Sequence, residues 1–234
     1  MERLSRHWEW VRKERFIERI FIYALGLLFA AFGVTFAINS NLGVTPINSL
    51  PYILSLIFNI DVGICVAILF SIFVAMQIVI LRKDFKIINL SQILVAFAFG
   101  YFMDFSIMIV GDFMLPTYAG RIAMLVISMM LIAIGLPLFL EMKLVNPPPE
   151  GIVLAIAQKI PGGTFHRVKI VFDCLVVALG IILSIIFLGG FYGIREGTVI
   201  GAIFIGRLIP VGRSIVAPIL RKTGLMQREI VNAN

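Results

Sequence analysis

Two short segments of this sequence each place a polar side chain two residues after a proline, within a mostly apolar stretch. The segments are PINSLPYILSLIF, Pro46–Phe58, and PPEGIVLAIAQKI, Pro148–Ile160. The polar residues are Asn48 and Glu150. A carboxylate in the first turn of a helix at membrane depth can bind a cation, carry a proton, or simply complement the helix dipole. All three readings stay open for Glu150.

The length of these two segments predicts half-helices. Each has 13 residues, which is about 20 Å of helix and too short for a hydrocarbon core of about 30 Å. A proline at the first helical position is the expected start signal, because its missing N–H would have no partner there. Irregular backbone at membrane depth is tolerated only where protein covers it or a polar cavity meets it. We therefore expect the proline ends to lie deep and to face a small cavity.

The two segments also belong to a longer internal repeat. A shift of 102 residues places Pro46 on Pro148 and Asn48 on Glu150. After a four-residue insertion in the second copy, the segment at 91–100 lies on the segment at 197–206. Weak identity with a shared pattern is what an ancient duplication leaves in a transporter-like fold.

The composition indicates that these elements lie in a lipid bilayer. The chain has 234 residues, of which 60% are hydrophobic and only 14% charged, and its mean hydropathy is +1.04. Soluble domains carry about a quarter charged residues, so we expect a polytopic membrane protein. Two cysteines and two histidines predict neither a disulfide framework nor a metal site. The predicted spans are Ile20–Ile38, Val62–Leu81, Ile88–Val110, Ile122–Leu140, Ile170–Leu188 and Val199–Leu220, the last interrupted near Pro210.

The distribution of basic residues predicts the orientation. With six spans and two re-entrant half-helices, eighteen of the Lys and Arg residues fall on the cytoplasmic side and two, Arg121 and Arg195, fall outside. If both half-helices crossed the membrane instead, the division would be fifteen against five. The positive-inside bias favours the first arrangement.

The predicted fold class is therefore an all-α polytopic membrane protein built from two inverted repeats. Each repeat has one transmembrane helix, a re-entrant half-helix and two further transmembrane helices, with both termini in the cytoplasm. The expected divisions are a cytoplasmic interfacial amphipathic helix at 1–19, repeat 1 at 20–115, repeat 2 at 116–220, and a cytoplasmic tail at 221–234.

Polar residues near the half-helix tips form the predicted substrate-binding set. They are Thr45, Asn48, Ser49, Asn146, Glu150 and Gly151. Polar residues elsewhere in the spans are candidates for coupling or gating, with helix capping and surface ion pairs as the structural alternatives. They are Gln77, Asp104, Lys169, Asp173, Arg195 and Glu196.

Four stretches resemble a known family, the bacterial YczE/YyaS/YitT-like integral membrane proteins. They are TPINSLPYILSL, PPEGIVLAIAQK, VKIVFD and REGTVIGAIFIG, and the resemblance extends from Ile20 to Leu220. It implies a multi-pass protein of the bacterial inner membrane and a transport role without a named substrate. It also implies an acid after the proline of both half-helices, so that Glu150 fits the pattern and Asn48 departs from it.

These observations favour a membrane transporter or channel-like permease for a small polar metabolite, zwitterionic or charged. The alternative is a scaffold or assembly factor, or an intramembrane enzyme. No nucleophile–base pair is apparent, so we expect no catalytic residues and no enzyme activity. The expected partners are the lipid bilayer and a small-molecule substrate, with a homodimer as an option. We expect no nucleic acid, no metal and no cofactor.

Overall fold

The computed structural model describes residues 15–225, and this part of the chain is all-helical, with no strands. Most of the predicted interfacial helix at 1–19 and of the tail at 221–234 lies outside the described residues. The α-helices are α1 Phe16–Ser40, α2 Pro46–Phe58, α3 Val62–Leu81, α4 Ser91–Val110, α5 Tyr118–Glu141, α6 Pro148–Lys159, α7 Phe165–Leu188 and α8 Glu196–Lys222. Two short 3₁₀ turns, Arg82–Asp84 and Ile87–Leu90, join α3 to α4.

Among the described residues, five helices are long and apolar enough to cross a membrane. They lie within Phe16–Ser40, Val62–Asp84, Ile87–Val110, Tyr118–Glu141 and Phe165–Leu188. Helix α8 adds a sixth if its two arms form one span, because it bends by 52° between Ile205 and Arg207. The prediction of a multi-pass helical membrane protein is therefore confirmed.

Helix α8 differs from the expected span in that it continues past Pro210 to Lys222. The ring of a proline obstructs the carbonyl four residues earlier, so Pro210 explains a bend between Ile205 and Arg207. The proline therefore bends this helix without ending it.

The two short helices begin where the sequence predicts. Pro46 and Pro148 each occupy the first helical position, after an extended Thr45 or Pro147. Helix α2 ends at Phe58, and its C-cap residue Asn59 takes the left-handed conformation with φ of 53°. With 13 and 12 residues, both helices have about half the length that a membrane span requires.

Helices α1 and α5 run antiparallel and touch through small residues. A Cβ added to Gly26 would lie 2.8 Å from the carbonyl oxygen of Gly135, and one added to Gly33 would lie 2.9 Å from that of Ser128. Later residues of α1 thus meet earlier residues of α5. Because lipid is as apolar as the side chains, close backbone packing of this kind is a main source of helix association in membranes.

Hydrogen bonds give the direction of the next two helices. The Thr35 and Ser106 hydroxyl oxygens lie 2.6 Å apart, and the Asn39 amide donates to the Gly111 carbonyl at 2.8 Å, so α4 runs parallel to α1. Helix α3 runs antiparallel to α4. Gly63 near the start of α3 bonds Asp104 in the second half of α4, and Gln77 near the end of α3 bonds Gln92 at the start of α4.

Each short helix packs against a helix of the other half of the chain. Helix α2 contacts α7, where a Cβ on Gly180 would meet Ile53 at 3.0 Å and Ser49 at 3.8 Å. Helix α6 contacts α3, where Gly151 lies against Gln77. Each short helix is thus held in place by a helix from the other half of the chain.

We expect Gly135→Ala to destabilise the protein by about 1–3 kcal/mol, the usual penalty of overpacking. The added Cβ would lie 2.6 Å from the Gly26 carbonyl oxygen and 2.8 Å from the Ala30 nitrogen, both of them backbone atoms. The measurement is the thermal unfolding midpoint of the purified protein in detergent.

The matched control is Gly201→Ala on α8, whose added Cβ meets only the Ile205 Cδ1 atom at 3.7 Å. This control should be neutral or stabilising by up to about 1 kcal/mol, because alanine is the better helix former. Equal unfolding midpoints for the two variants would contradict the close α1–α5 packing.

Candidate functional site

Glu150 is the third residue of α6 and the centre of a small charged group. It interacts electrostatically with Lys169 and Asp173 of α7 and with Tyr23 of α1, and its carboxylate also accepts a hydrogen bond from its own backbone N–H. The residue is partly exposed although protein surrounds it densely. The carboxyl group itself is therefore largely enclosed by protein.

Lys169 and Asp173 form an ion pair one helical turn apart. The Lys169 Nζ atom lies 2.7 Å from the Asp173 Oδ1 atom, and about a quarter of each side chain is exposed, 24% and 25% respectively. This pair is confirmed as the sequence predicted it. Together with Glu150 it makes a group of two carboxyl side chains and one lysine side chain.

The loop before α6 is fixed by two side chains of α1. The Tyr23 hydroxyl donates to the Val145 carbonyl at 3.1 Å, and the Arg19 guanidinium donates to the Met142 carbonyl. Asn146, a predicted binding residue, lies exposed in this loop. The loop therefore reaches α6 along the surface of α1, which brings Tyr23 close to Glu150.

A pair of buried amides supports the first turn of α6. Gln77 and Gln92, 1% and 2% exposed, exchange hydrogen bonds of 2.8 and 3.2 Å, and Gln77 also donates to the Pro148 carbonyl at 3.4 Å. A Cβ on Gly151 would lie 2.7 Å from the side-chain oxygens of both glutamines. The Gly151 N–H already donates to the Pro147 carbonyl, so we assign Gly151 to packing.

The first turn of α2 carries a neutral polar residue, Asn48, at the position that Glu150 occupies in α6. Asn48 is 7% exposed, and its Nδ2 atom donates to the Thr45 Oγ1 atom at 2.8 Å. Its Oδ1 atom is buried and has no hydrogen-bond partner among the described residues. The Ser49 hydroxyl donates to the Pro46 carbonyl at 2.7 Å and so completes its bonding within the helix. Of the three predicted residues here, Asn48 is the one with a buried side-chain atom that has no described partner.

Arg195 fixes the loop before α2. It donates to the Asn41 carbonyl at 3.1 Å and interacts electrostatically with Tyr52. Nearby, the Gly197 N–H donates to the Leu42 carbonyl at 2.7 Å. Glu196 lies exposed in the first turn of α8. These contacts give Arg195 a positioning role at the start of α2.

Asp104 caps a helix. Its Oδ1 atom accepts a hydrogen bond from the Gly63 N–H at 2.7 Å, in the first turn of α3. Asp61 stands at the N-cap position of α3 and makes no side-chain cap bond. Asp104 therefore satisfies a free N–H and complements the helix dipole.

The structure gathers the predicted residues into two groups. Glu150, Lys169 and Asp173 meet around the start of α6, and Thr45 and Asn48 meet at the start of α2. Among the described residues, no hydrogen bond or ion pair joins the two groups, so the shared cavity remains a prediction. No cluster of three or more metal-binding side chains occurs in the described range.

Sequence reasoning missed two residues of the Glu150 group and its support, Tyr23 and Gln92. Each is a polar residue in a predicted span or at its start. That polarity was the one signal in the sequence that could have marked it as a candidate. Neither lies near Glu150 in the sequence, so only the packing of α1 and α4 onto the α6 region reveals their role.

These features define a polytopic helical membrane protein with polar groups at the starts of two short helices. The chain belongs to the family of unknown function DUF6198, whose model matches residues 17–213. It is 27% identical over 196 residues to the uncharacterized protein YyaS of Bacillus subtilis (strain 168), which covers 83% of this chain and 92% of YyaS. No solved structure matches the chain. The wider YczE/YitT-like grouping stays a prediction.

We expect Asp104→Ala to destabilise the protein by about 0.5–2 kcal/mol, the usual effect of losing an N-terminal cap. Asp104→Asn keeps an oxygen acceptor for the Gly63 N–H and should lose less. Thermal unfolding of the purified variants measures both. Asp61→Ala is the control, because that side chain makes no cap bond, and a loss as large as that of Asp104→Ala would contradict the assignment.

Proposed function

We propose that this protein is a transporter or channel-like permease for a small polar solute, embedded in the bacterial cell membrane as two inverted repeats. The observation that carries the proposal is the pair of proline-led half-helices, each with a polar side chain at its third position. Asn48 and Glu150 occupy these positions. Polar groups within membrane segments are costly to maintain and usually serve a pathway. We propose no catalytic role.

The directions of the helices support six crossings. Helix α1 and helix α4 run parallel, and α3 and α5 run antiparallel to them. Helix α1 therefore ends on the side where α3 begins, so the segment between them, which contains α2, enters and leaves on one side. Helix α5 likewise ends on the side where α3 ends. The segment that contains α6 stays on that side, because Lys159 at the end of α6 pairs with Asp84 after α3 at 2.7 Å.

The α1–α5 contact supports the inverted relation of the repeats. Gly33 and Gly135 are equivalent under the 102-residue shift, as are Gly26 and Ser128, and the observed contacts are Gly26 with Gly135 and Gly33 with Ser128. A two-fold axis perpendicular to two antiparallel helices produces such a pair of reciprocal contacts. An axis in the membrane plane is the hallmark of inverted-repeat transporters.

The half-helix starts support the location of the site. Helix N-termini carry unpaired N–H groups and positive dipole ends, and transporters place them against the charged or polar parts of a solute. Here Asn48 and Glu150 both fold back toward the first turn of their own helix. We propose that a solute passes these two groups in sequence, with Lys169 and Asp173 beside the second.

The topology predicts a specific labelling pattern. In a variant that lacks Cys65 and Cys174, a cysteine at Asp112 should react in intact cells with a membrane-impermeant maleimide. A cysteine at Lys86 should react only after the membrane is permeabilised. Both positions are exposed in the structure. The reverse pattern would mean that the chain has the opposite orientation, and it would reject the predicted placement of both termini in the cytoplasm.

The function test is a thermal-shift screen of the purified protein against small polar metabolites. A solute at a hundred times its dissociation constant stabilises by about 2.7 kcal/mol. Glu150→Gln should abolish that stabilisation, because it removes the charge and keeps the shape, while the solute-free variant loses no more than about 1 kcal/mol.

The matched control is Glu18→Gln, the same change at an exposed first-turn acid of α1. It should leave the response intact. A hit is then followed by its uptake into proteoliposomes. If no solute of any charge stabilises the protein or crosses the proteoliposome membrane, the permease proposal fails. If Glu150→Gln retains full binding, Glu150 is a helix cap only.

A further inference from the structure

Helices α3 and α4 pack closely, whereas α7 and α8, the helices that the predicted repeat aligns with them, do not. The Phe70 and Phe99 rings of α3 and α4 stack with their centroids 5.9 Å apart, and Gln77 bonds Gln92 further along the same pair of helices. Among the described residues, α7 and α8 each contact α2 but make no such extended contact with each other. The face of α7 that would pack on α8 is therefore open.

The sequence explains why α7 and α8 stay apart. In the first pair, the Gly63 N–H donates to the Asp104 Oδ1 atom at 2.7 Å, and a Cβ on Gly63 would overlap the Gly100 carbonyl oxygen. Phe165 aligns with Gly63 under the 102-residue shift, and Pro210 aligns with Asp104 after the four-residue insertion. A phenyl ring is too large for a contact between backbones, and a proline side chain accepts no hydrogen bond. Neither the glycine contact nor the cap can therefore form between α7 and α8.

One row of α7 side chains is exposed where its counterpart in α3 is buried. Val171, Leu175 and Leu179 lie one helical turn apart and are 59%, 63% and 47% exposed. In the same order, the aligned residues of α3 are only 8%, 5% and 1% exposed, and these are Leu69, Phe73 and Gln77. Within a membrane, hydrocarbon covers the apolar side chains that protein leaves uncovered. The open row of α7, which is Val171, Leu175 and Leu179, is therefore a surface for an acyl chain.

Two exposed arginines of α7 and α8 have no counter-ion among the described residues. Arg167 lies in the first turn of α7, and Arg207 lies eleven residues after the start of α8, at the beginning of its second arm. Neither forms an ion pair or a hydrogen bond within the described range, in contrast to Arg213 of α8, which pairs with Glu141 at 2.6 Å. Eleven residues make about 16 Å of helix, about half of the hydrocarbon core. An arginine at that depth is costly unless an anion or water meets it.

We propose that an anionic phospholipid of the bilayer binds at the open row of α7, with one acyl chain against the row and its phosphate at Arg167 and Arg207. Arg167 lies at the end of α7, at the level of the lipid headgroups, and a long arginine side chain at half depth can extend toward them. A net negative lipid is favoured, because a zwitterionic lipid brings an ammonium group that the arginines repel. This inference goes beyond the proposed transport function and does not depend on it.

The test measures lipid selectivity with brominated phospholipids, which quench tryptophan fluorescence on contact. Trp8 and Trp10 are replaced by phenylalanine, and a single tryptophan is placed at Leu175 on the open row or at Tyr101 on α4. The two positions match, because each is the eleventh residue of its helix and they are 63% and 70% exposed. The full-length protein is reconstituted in mixtures of phosphatidylcholine and phosphatidylglycerol, of which one or the other is brominated.

Leu175→Trp should be quenched preferentially by brominated phosphatidylglycerol, with a gain in relative affinity of about fivefold for each arginine that meets the phosphate. Tyr101→Trp should be quenched equally by the two lipids. Arg167→Gln and Arg207→Gln should each lower the preference at Leu175→Trp, and together they should abolish it. Arg221→Gln is the control, since it makes the same change at an exposed arginine in the last turn of α8, and it should leave the preference intact.

Three results would overturn the proposal. No quenching of Leu175→Trp by either lipid would mean that α8 or a second copy of the chain covers the open row. Equal quenching by the two lipids would mean that the row meets unselective bilayer lipid only, and a preference that survives the loss of both arginines would remove the phosphate contact. If an arginine variant fails to fold, the two tryptophan positions in protein that keeps both arginines still decide, because equal selectivity at both rejects the site. Transport activity enters none of these measurements.

Discussion

The close antiparallel contact between α1 and α5 is the constraint on which the rest of the structure depends. Gly26 and Gly135 leave no room for side chains, and each backbone lies against the other. In lipid there is little hydrophobic gain from bringing two apolar helices together, so this packing must come from van der Waals contact between small residues. This pair joins the two halves of the chain, and each short helix also contacts a helix of the other half.

The positions that the predicted repeat aligns differ in charge. Under the 102-residue shift, Glu150 corresponds to Asn48, Lys169 to Ala67 and Asp173 to Ser71. Of these aligned positions, only those in the second half of the chain carry ionisable side chains. If the two halves arose by the predicted duplication, substitution at these positions has made them chemically unequal.

Local signals explain what the sequence could predict. The starts of both short helices were predictable because proline acts on its own backbone and on the turn that follows it. The Lys169–Asp173 pair was predictable because its members lie four residues apart on one helix. The roles of Asp104 and Gly151 were not predictable, since each depends on a helix distant in sequence. For the same reason, Tyr23 and Gln92 gave no signal of their proximity to the α6 region.

The amide pair Gln77–Gln92 has a consequence for how the protein responds to acidity. Neither side chain gains or loses a proton at any physiological pH, and their reciprocal bonds are buried where salt does not screen them. The support of the first turn of α6 is therefore indifferent to proton concentration. A change of charge at Glu150 would therefore leave this supporting pair of hydrogen bonds in place.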